Sequence, residues 1–73
     1  MRDYHINVFW SQEDNTYIAD IPDLKYCAAH GPTPEAALHE VLLARDAWLE
    51  TAKSHGKAIT PPRYRPAIYQ ASR

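Results

Sequence analysis

Asp20, Asp23 and Cys27 fall within eight positions of one another in the stretch YIADIPDLKYC, Tyr17 to Cys27. Two carboxylates flanking Pro22 could contribute to a cation site, and a thiol could act as a nucleophile. Two-metal nucleases need several carboxylates converging on one point to hold cations about 3.5–4 Å apart. A strand followed by a turn can bring Asp20 and Asp23 together, but nothing in the order of elements delivers a third from Asp3, Asp14, Glu35 or Glu40. They read instead as turn residues and solvated charges. A reactive Cys27 would need a base and positive surroundings to form thiolate. Lys25 and His30 are near in sequence, but no signature links them to it, so Cys27 reads as a small buried apolar residue on a strand. His5, His30, His39 and His55 form no H-x-x-x-H pair, and one cysteine cannot build a structural zinc site. The only glycines are Gly31 and Gly56, which excludes a glycine-rich phosphate cradle. No enzymatic activity, metal or cofactor is expected.

The elements that position these residues follow from hydrophobic periodicity. Tyr4 to Trp10, YHINVFW, alternates Tyr4, Ile6, Val8 and Trp10 on one face with His5, Asn7 and Phe9 on the other, the pattern of a strand. Ser11 to Thr16 is a turn cluster in which Asp14 and Asn15 tolerate left-handed backbone. YIADI forms a second strand, antiparallel to the first, until Pro22 interrupts the ladder. Lys25 to His30, KYCAAH, reads as a weaker third strand because alanine has little β preference.

A helix follows. Thr33 suits the N-cap, Pro34 the first helical position and Gly56 a left-handed stop. Ala36 stands where glutamate would complete a capping box. Glu35 near the start, with Lys53, His55 and Lys57 near the end, complements the helix dipole. Ala37, Val41, Ala44, Trp48 and Ala52 form one stripe, and Leu38, Leu42 and Leu49 a second beside it. Together they cover roughly 160°, more than the ~100° a surface helix needs. Arg45 projects between them. The tail holds Pro61 and Pro62, then YRPAIYQ, Tyr64 to Gln70, a candidate fourth strand that Pro66 confines to a sheet edge or demotes to a loop. The expected fold is α+β in the order β-β-β-α-β: a mostly antiparallel sheet of three to four strands with one long helix on one face.

Seventy-three residues make one domain, 1–73, with a basic tail or edge strand over 63–73. So short a chain has a marginal core and tends to gain stability from a disulfide, a metal or a partner subunit. One cysteine excludes an internal disulfide and fits a reducing compartment. No signal peptide or membrane span is expected, so the anticipated location is the cytoplasm. The net charge of −1 conceals an asymmetry. All nine acidic residues precede Thr51, whereas five of the eight Lys and Arg (Lys53, Lys57, Arg63, Arg65, Arg73) follow it. An acidic body of this kind steers encounter with basic partners. In the tail, Arg63, Tyr64 and Arg65 interleave cations and an aromatic ring, a combination that can contact phosphates and stack on bases. The footprint is small and the body acidic, so direct nucleic-acid binding is the weaker expectation.

The residues Asp14, Tyr17, Pro22, Leu24, Cys27, Gly31, Thr33, Glu35, Ala37, Ala44 and Pro61–Pro62 resemble, in order and spacing, those of the HicB antitoxin family, over roughly residues 4–62. Asn15-Thr16, Lys25-Tyr26 and Ala36 depart from the family pattern at turns and at the cap. The resemblance implies a partial ribonuclease-H-type fold without nuclease activity. Its implied role is that of a type II toxin–antitoxin component that neutralises HicA, a small basic mRNA-cleaving toxin, by covering its site. It also implies a homo-oligomer. Many relatives append a DNA-binding module, for which this chain has no room, so none is expected. Candidate toxin contacts are Asp14, Asp20 and Asp23, taken to lie near one end of the sheet. The candidate oligomer surface is Leu38, Leu42, Arg45 and Leu49. The rivals are a solitary regulatory domain, a nucleic-acid-binding module using Arg63, Tyr64 and Arg65, and a remnant metal-dependent nuclease.

Overall fold

The structure, a computed structural model, describes residues 3–59 and 61–65. Three strands, β1 (Asn7–Ser11), β2 (Thr16–Asp20) and β3 (Ala28–Gly31), form an antiparallel sheet in sequential order, followed by one helix, α1 (Pro34–Ser54). The α+β class and the single long helix on one face are as the sequence implies.

The β1–β2 hairpin pairs Ser11 with Thr16 and Asn7 with Asp20. Its turn is fastened by two short contacts. The Ser11 hydroxyl donates to the Asp14 carboxylate at 3.0 Å and accepts the Asp14 N–H at 3.2 Å. Asn15 takes the left-handed conformation, φ 55, which asparagine tolerates better than most residues.

The third strand begins later than the sequence suggests. Lys25 to Cys27 is a turn, not a strand, because Tyr26 sits at φ 65 and breaks the extended run. Backbone bonds from Leu24 N–H to the Ile21 carbonyl and from Cys27 N–H to the Leu24 carbonyl fold this segment back on itself. A third bond, from the Ile21 N–H to the Cys27 carbonyl, closes it. The result drives Ile21, Leu24 and Cys27 into the core and turns Lys25 and Tyr26 out to solvent.

Both helix ends are built as the sequence indicates. The Thr33 hydroxyl accepts the Ala36 N–H at 3.0 Å, and Pro34 occupies the first turn. At the other end Gly56 adopts φ 68. Its N–H reaches the Lys53 carbonyl, and the Lys57 N–H reaches the Ala52 carbonyl, the paired bonds of a Schellman stop.

Gly31 fixes how closely the helix approaches the sheet. A Cβ there would lie 2.7 Å from the Ala37 nitrogen and 2.8 Å from the Ala36 Cβ. With that approach α1 lies chiefly over β3 and β2 and least over β1. Ala19, Ile21, Leu24, Cys27, Ala37 and Val41 form the core, supported by Tyr4, Ile6, Tyr17, Ala29, Ala44, Trp48 and Leu49. The Trp48 indole N–H donates to the Lys25 carbonyl at 3.0 Å, tying the helix to the β2–β3 turn.

The expected fourth strand falls mostly outside the described residues. Of Tyr64 to Gln70, only Tyr64 and Arg65 are described, and neither lies in a strand.

Candidate functional site

The sheet has two unlike faces. Tyr17, Ala19, Ala29 and Gly31 point toward α1, as their burial and cross-strand register establish. The alternate residues point outward: Asn7, Phe9 and Ser11 on β1, Thr16, Ile18 and Asp20 on β2, Ala28 and His30 on β3. No described element lies over this outer face. Phe9, Ile18 and His30 stand side by side across the three strands, with Asn7, Asp20 and Ala28 as the next row. Phe9 is 48% exposed.

Asp20 is the one residue of that face bearing a formal charge. Its Oδ1 is out of reach of solvent and has no hydrogen-bond partner among the described residues. A buried carboxylate oxygen without a donor is costly to the fold.

The three candidate carboxylates do not gather at one end of the sheet. Asp14 lies in the β1–β2 turn, whereas Asp20 closes β2 at the far end of the hairpin, and Asp23 follows it. At about 3.3 Å per residue, the five residues of β2 hold Asp14 more than roughly 13 Å along the strand from Asp20. Asp23 is already occupied, since its Oδ2 accepts the backbone N–H groups of Arg63 and Tyr64, each at 3.0 Å. Among the described residues no three of His, Cys, Asp and Glu come together as a cation site.

The tail candidates are thereby drawn onto the body. The Tyr64 ring packs 4.6 Å from the His5 ring, and His5 Nε2 is 2.7 Å from the Asn7 side-chain oxygen. Sequence reasoning missed this attachment, because a lone aspartate after a proline carries no mark of a partner forty residues away.

The leucine stripe lies on the β1 side of the helix, where Arg45 meets Asp3 at 3.9 Å and Asp46 at 3.2 Å. Leu42 and Leu49 are half-buried, Leu49 against the core, and Leu38 is 38% exposed. The larger apolar exposure on this flank belongs to β1. Val8 and Trp10 face the helix side, but α1 is displaced toward β3, and Trp10 remains 49% exposed despite its edge-on contact with Tyr17.

Cys27 is a buried free thiol. Burial pushes it above its ordinary value, with the charge of Arg45 opposing. A thiol held protonated is a core apolar group rather than a nucleophile.

On the opposite flank two grooves run beside β3. One, of about 710 Å³, lies between Lys25–Ala28 and the C-terminal half of α1, with Trp48, His55 and Lys57 in its walls. The other, of about 540 Å³, lies between Ala28–Pro32 and Ala36 and Glu40. Among the described residues no helix is long and apolar enough to cross a membrane.

The chain is similar to a UPF0150 protein of Synechocystis sp., with 36% identity over 52 residues, covering 71% of each chain. No family model and no solved structure matches it.

Proposed function

The chain belongs to the UPF0150 family, and from that premise we propose that it is a HicB-type antitoxin that neutralises a small basic HicA-like mRNA-cleaving toxin by occlusion. The sequence resemblance to HicB antitoxins supports this reading at the level of family. At the level of the surface, one observation carries it: the open outer face of the sheet, where Phe9, Ile18 and His30 stand in one row and Asn7, Asp20 and Ala28 in the next. A face of mixed polarity whose one formal charge is the Asp20 carboxylate suits a protein surface bearing lysine or arginine. Asp14 lies at the margin of the same hairpin and contributes to encounter rather than to the central contact. The protein works in the cytoplasm as a homo-oligomer, with no catalytic step of its own. In the basic segment Arg63, Tyr64 and Arg65, two backbone amides are engaged with Asp23 and the tyrosine ring lies against His5, which ties the segment to the body of the domain.

Co-expression with the small basic product of a neighbouring reading frame tests the proposal. The two proteins should co-purify, and the mixture should lose mRNA cleavage. Charge pairs chiefly set association rate and specificity, so Asp20→Lys should slow complex formation at low salt by about tenfold. Failure to associate, or association indifferent to Asp20→Lys, would overturn the assignment of this face.

A further inference from the structure

The larger of the two grooves beside β3 shares only Ala28 with the outer sheet face. It measures about 710 Å³, within the range of roughly 300–1,000 Å³ typical of small-ligand clefts. Small side chains make the hollow: Ala28 from β3, and Ala44, Ala47 and Ala52 from α1. Two rings stand in its walls, Tyr26 from the β2–β3 turn and Trp48 from the helix. The Trp48 indole N–H is anchored on the Lys25 carbonyl, and Tyr26 rises from a turn pinned by the bonds among Ile21, Leu24 and Cys27.

The charge of this groove is opposite to that of the body around it. None of the nine Asp and Glu of the chain lines it, whereas Lys25, His55 and Lys57 do. The Lys25 ammonium lies 5.4 Å from the Tyr26 ring centre, which sets one positive charge beside an aromatic wall. The bond from the Lys57 N–H to the Ala52 carbonyl fixes where the second lysine leaves the helix end. Among the described residues every ion pair belongs to Arg45, so neither lysine has a carboxylate partner there. The negative end of the helix dipole is muted, because the last carbonyls are already taken. Thr51 accepts from the His55 backbone N–H and from its ring Nδ1, which must carry the proton opposite a carbonyl. Ala52 accepts from Lys57, and Lys53 from Gly56.

We propose that this groove binds an amphipathic carboxylate, a small anion carried on a flat apolar ring system. The ring lies over the alanines, between Tyr26 and Trp48, and the carboxylate faces Lys25 and Lys57. Charge complementarity selects an anion, and an alanine hollow flanked by two aromatic side chains selects a flat apolar body. The occupant is compact rather than an added strand, because β3 contributes Ala28 alone to this groove. A strand paired along β3 would run beside the second groove, which reaches from Ala28 to Pro32 and carries Glu40. Nor is the segment Arg63–Arg65 the occupant. It is cationic, and it is engaged with Asp23 and His5, neither of which lines the groove. The site is independent of toxin binding, which rests on the outer face of the sheet.

The test is amide NMR of the full chain titrated with 2-naphthoate, with 2-naphthalenemethanol as its uncharged counterpart. Naphthoate should bind with about millimolar affinity or tighter, the scale expected of a ligand of this size. It should shift the Trp48 indole N–H and the amides of Tyr26, Ala28 and Ala47, and leave those of β1 in place. The alcohol should bind roughly fivefold or more weakly, as loss of contacts to two exposed cations implies. Ala47 is exposed on the helix, so substitutions there keep the fold. Ala47→Lys should tighten naphthoate binding about threefold and Ala47→Glu weaken it by about the same factor, the scale of an exposed charge pair. Both variants should bind the alcohol equally. Opposite effects at one position cannot arise from unfolding. No shift around Trp48 up to about 10 mM naphthoate, equal affinity for acid and alcohol, or indifference to both Ala47 variants would overturn the proposal. The same shifts on diluting the protein alone would make a second copy the occupant and overturn it too. Each of these outcomes leaves the co-purification test of toxin binding intact.

Discussion

Asp23 accepts a hydrogen bond from the backbone N–H of Tyr64 at 3.0 Å, across 41 positions of chain. The preceding N–H, that of Arg63, donates to the same oxygen. One carboxylate oxygen therefore fastens the segment after α1 to the loop between β2 and β3, and the Tyr64 ring completes the attachment against His5.

Removing that carboxylate should release the segment without unfolding the domain. Asp23→Ala is expected to lower stability by about 1–2 kcal/mol, the scale of two solvent-accessible hydrogen bonds to a charged acceptor. Amide hydrogen exchange at Arg63 and Tyr64 should accelerate to the rate of an unprotected chain, while exchange in β2 and β3 changes only by the global amount. Unchanged protection at these two amides would show that the segment is held by other means.

Gly31→Ala should be far more damaging than an exposed glycine substitution. The new methyl would meet helix backbone at 2.7 and 2.9 Å, neither of which a flexible side chain can relieve. Separating α1 from β3 loosens packing around Ala29, Ala37 and Val41, so a loss of about 2–3 kcal/mol is expected, in the range of overpacked cores. A domain of this size should then melt roughly 10–20 °C lower. A melting temperature within ~2 °C of wild type would mean that the helix approach is not tight at this point.

The buried thiol gives stability a dependence on alkaline pH. The unfolded chain releases the Cys27 proton near the ordinary value of 9.0, while the folded chain retains it because burial raises the pKa. This group's contribution is therefore complete below pH 9.0 and is lost as pH rises through the elevated folded value. The difference in urea midpoint between wild type and Cys27→Ala should be constant at neutral pH and move against the wild type above pH 9.0. A difference that stays constant through that range would show the thiol to be accessible.

Much of this architecture is legible because its determinants are local. Thr33, Pro34 and Gly56 mark the helix ends through their own backbone and side-chain chemistry, and the structure uses them in those roles. The hairpin is legible from alternation on both sides of Asp14-Asn15. Lys25 to Cys27 is not, because tyrosine ordinarily favours strands, and only the burial of Ile21, Leu24 and Cys27 together forces Tyr26 into a left-handed turn. The candidate surface was half visible. Asp20 stands out by residue type, but that it shares an open face with Phe9, Ile18 and His30 depends on register. That Asp14 lies away from it depends on the length of β2, and the capture of Arg63 and Tyr64 by Asp23 depends on tertiary closure. The exposure of Val8 and Trp10 depends on where the helix settles across the sheet, which Gly31 governs and alternation cannot express.

That lateral placement of α1 has a dynamic consequence. The roof of the sheet stops short of the first strand, whose amides rely on a single neighbouring strand and little overlying side-chain mass. Such a strand is expected to open locally more readily than β3, which is also an edge but lies under the helix, and faster amide exchange in β1 than in β3 would show it. The fold thus carries a soft margin on one side and a stiff one on the other.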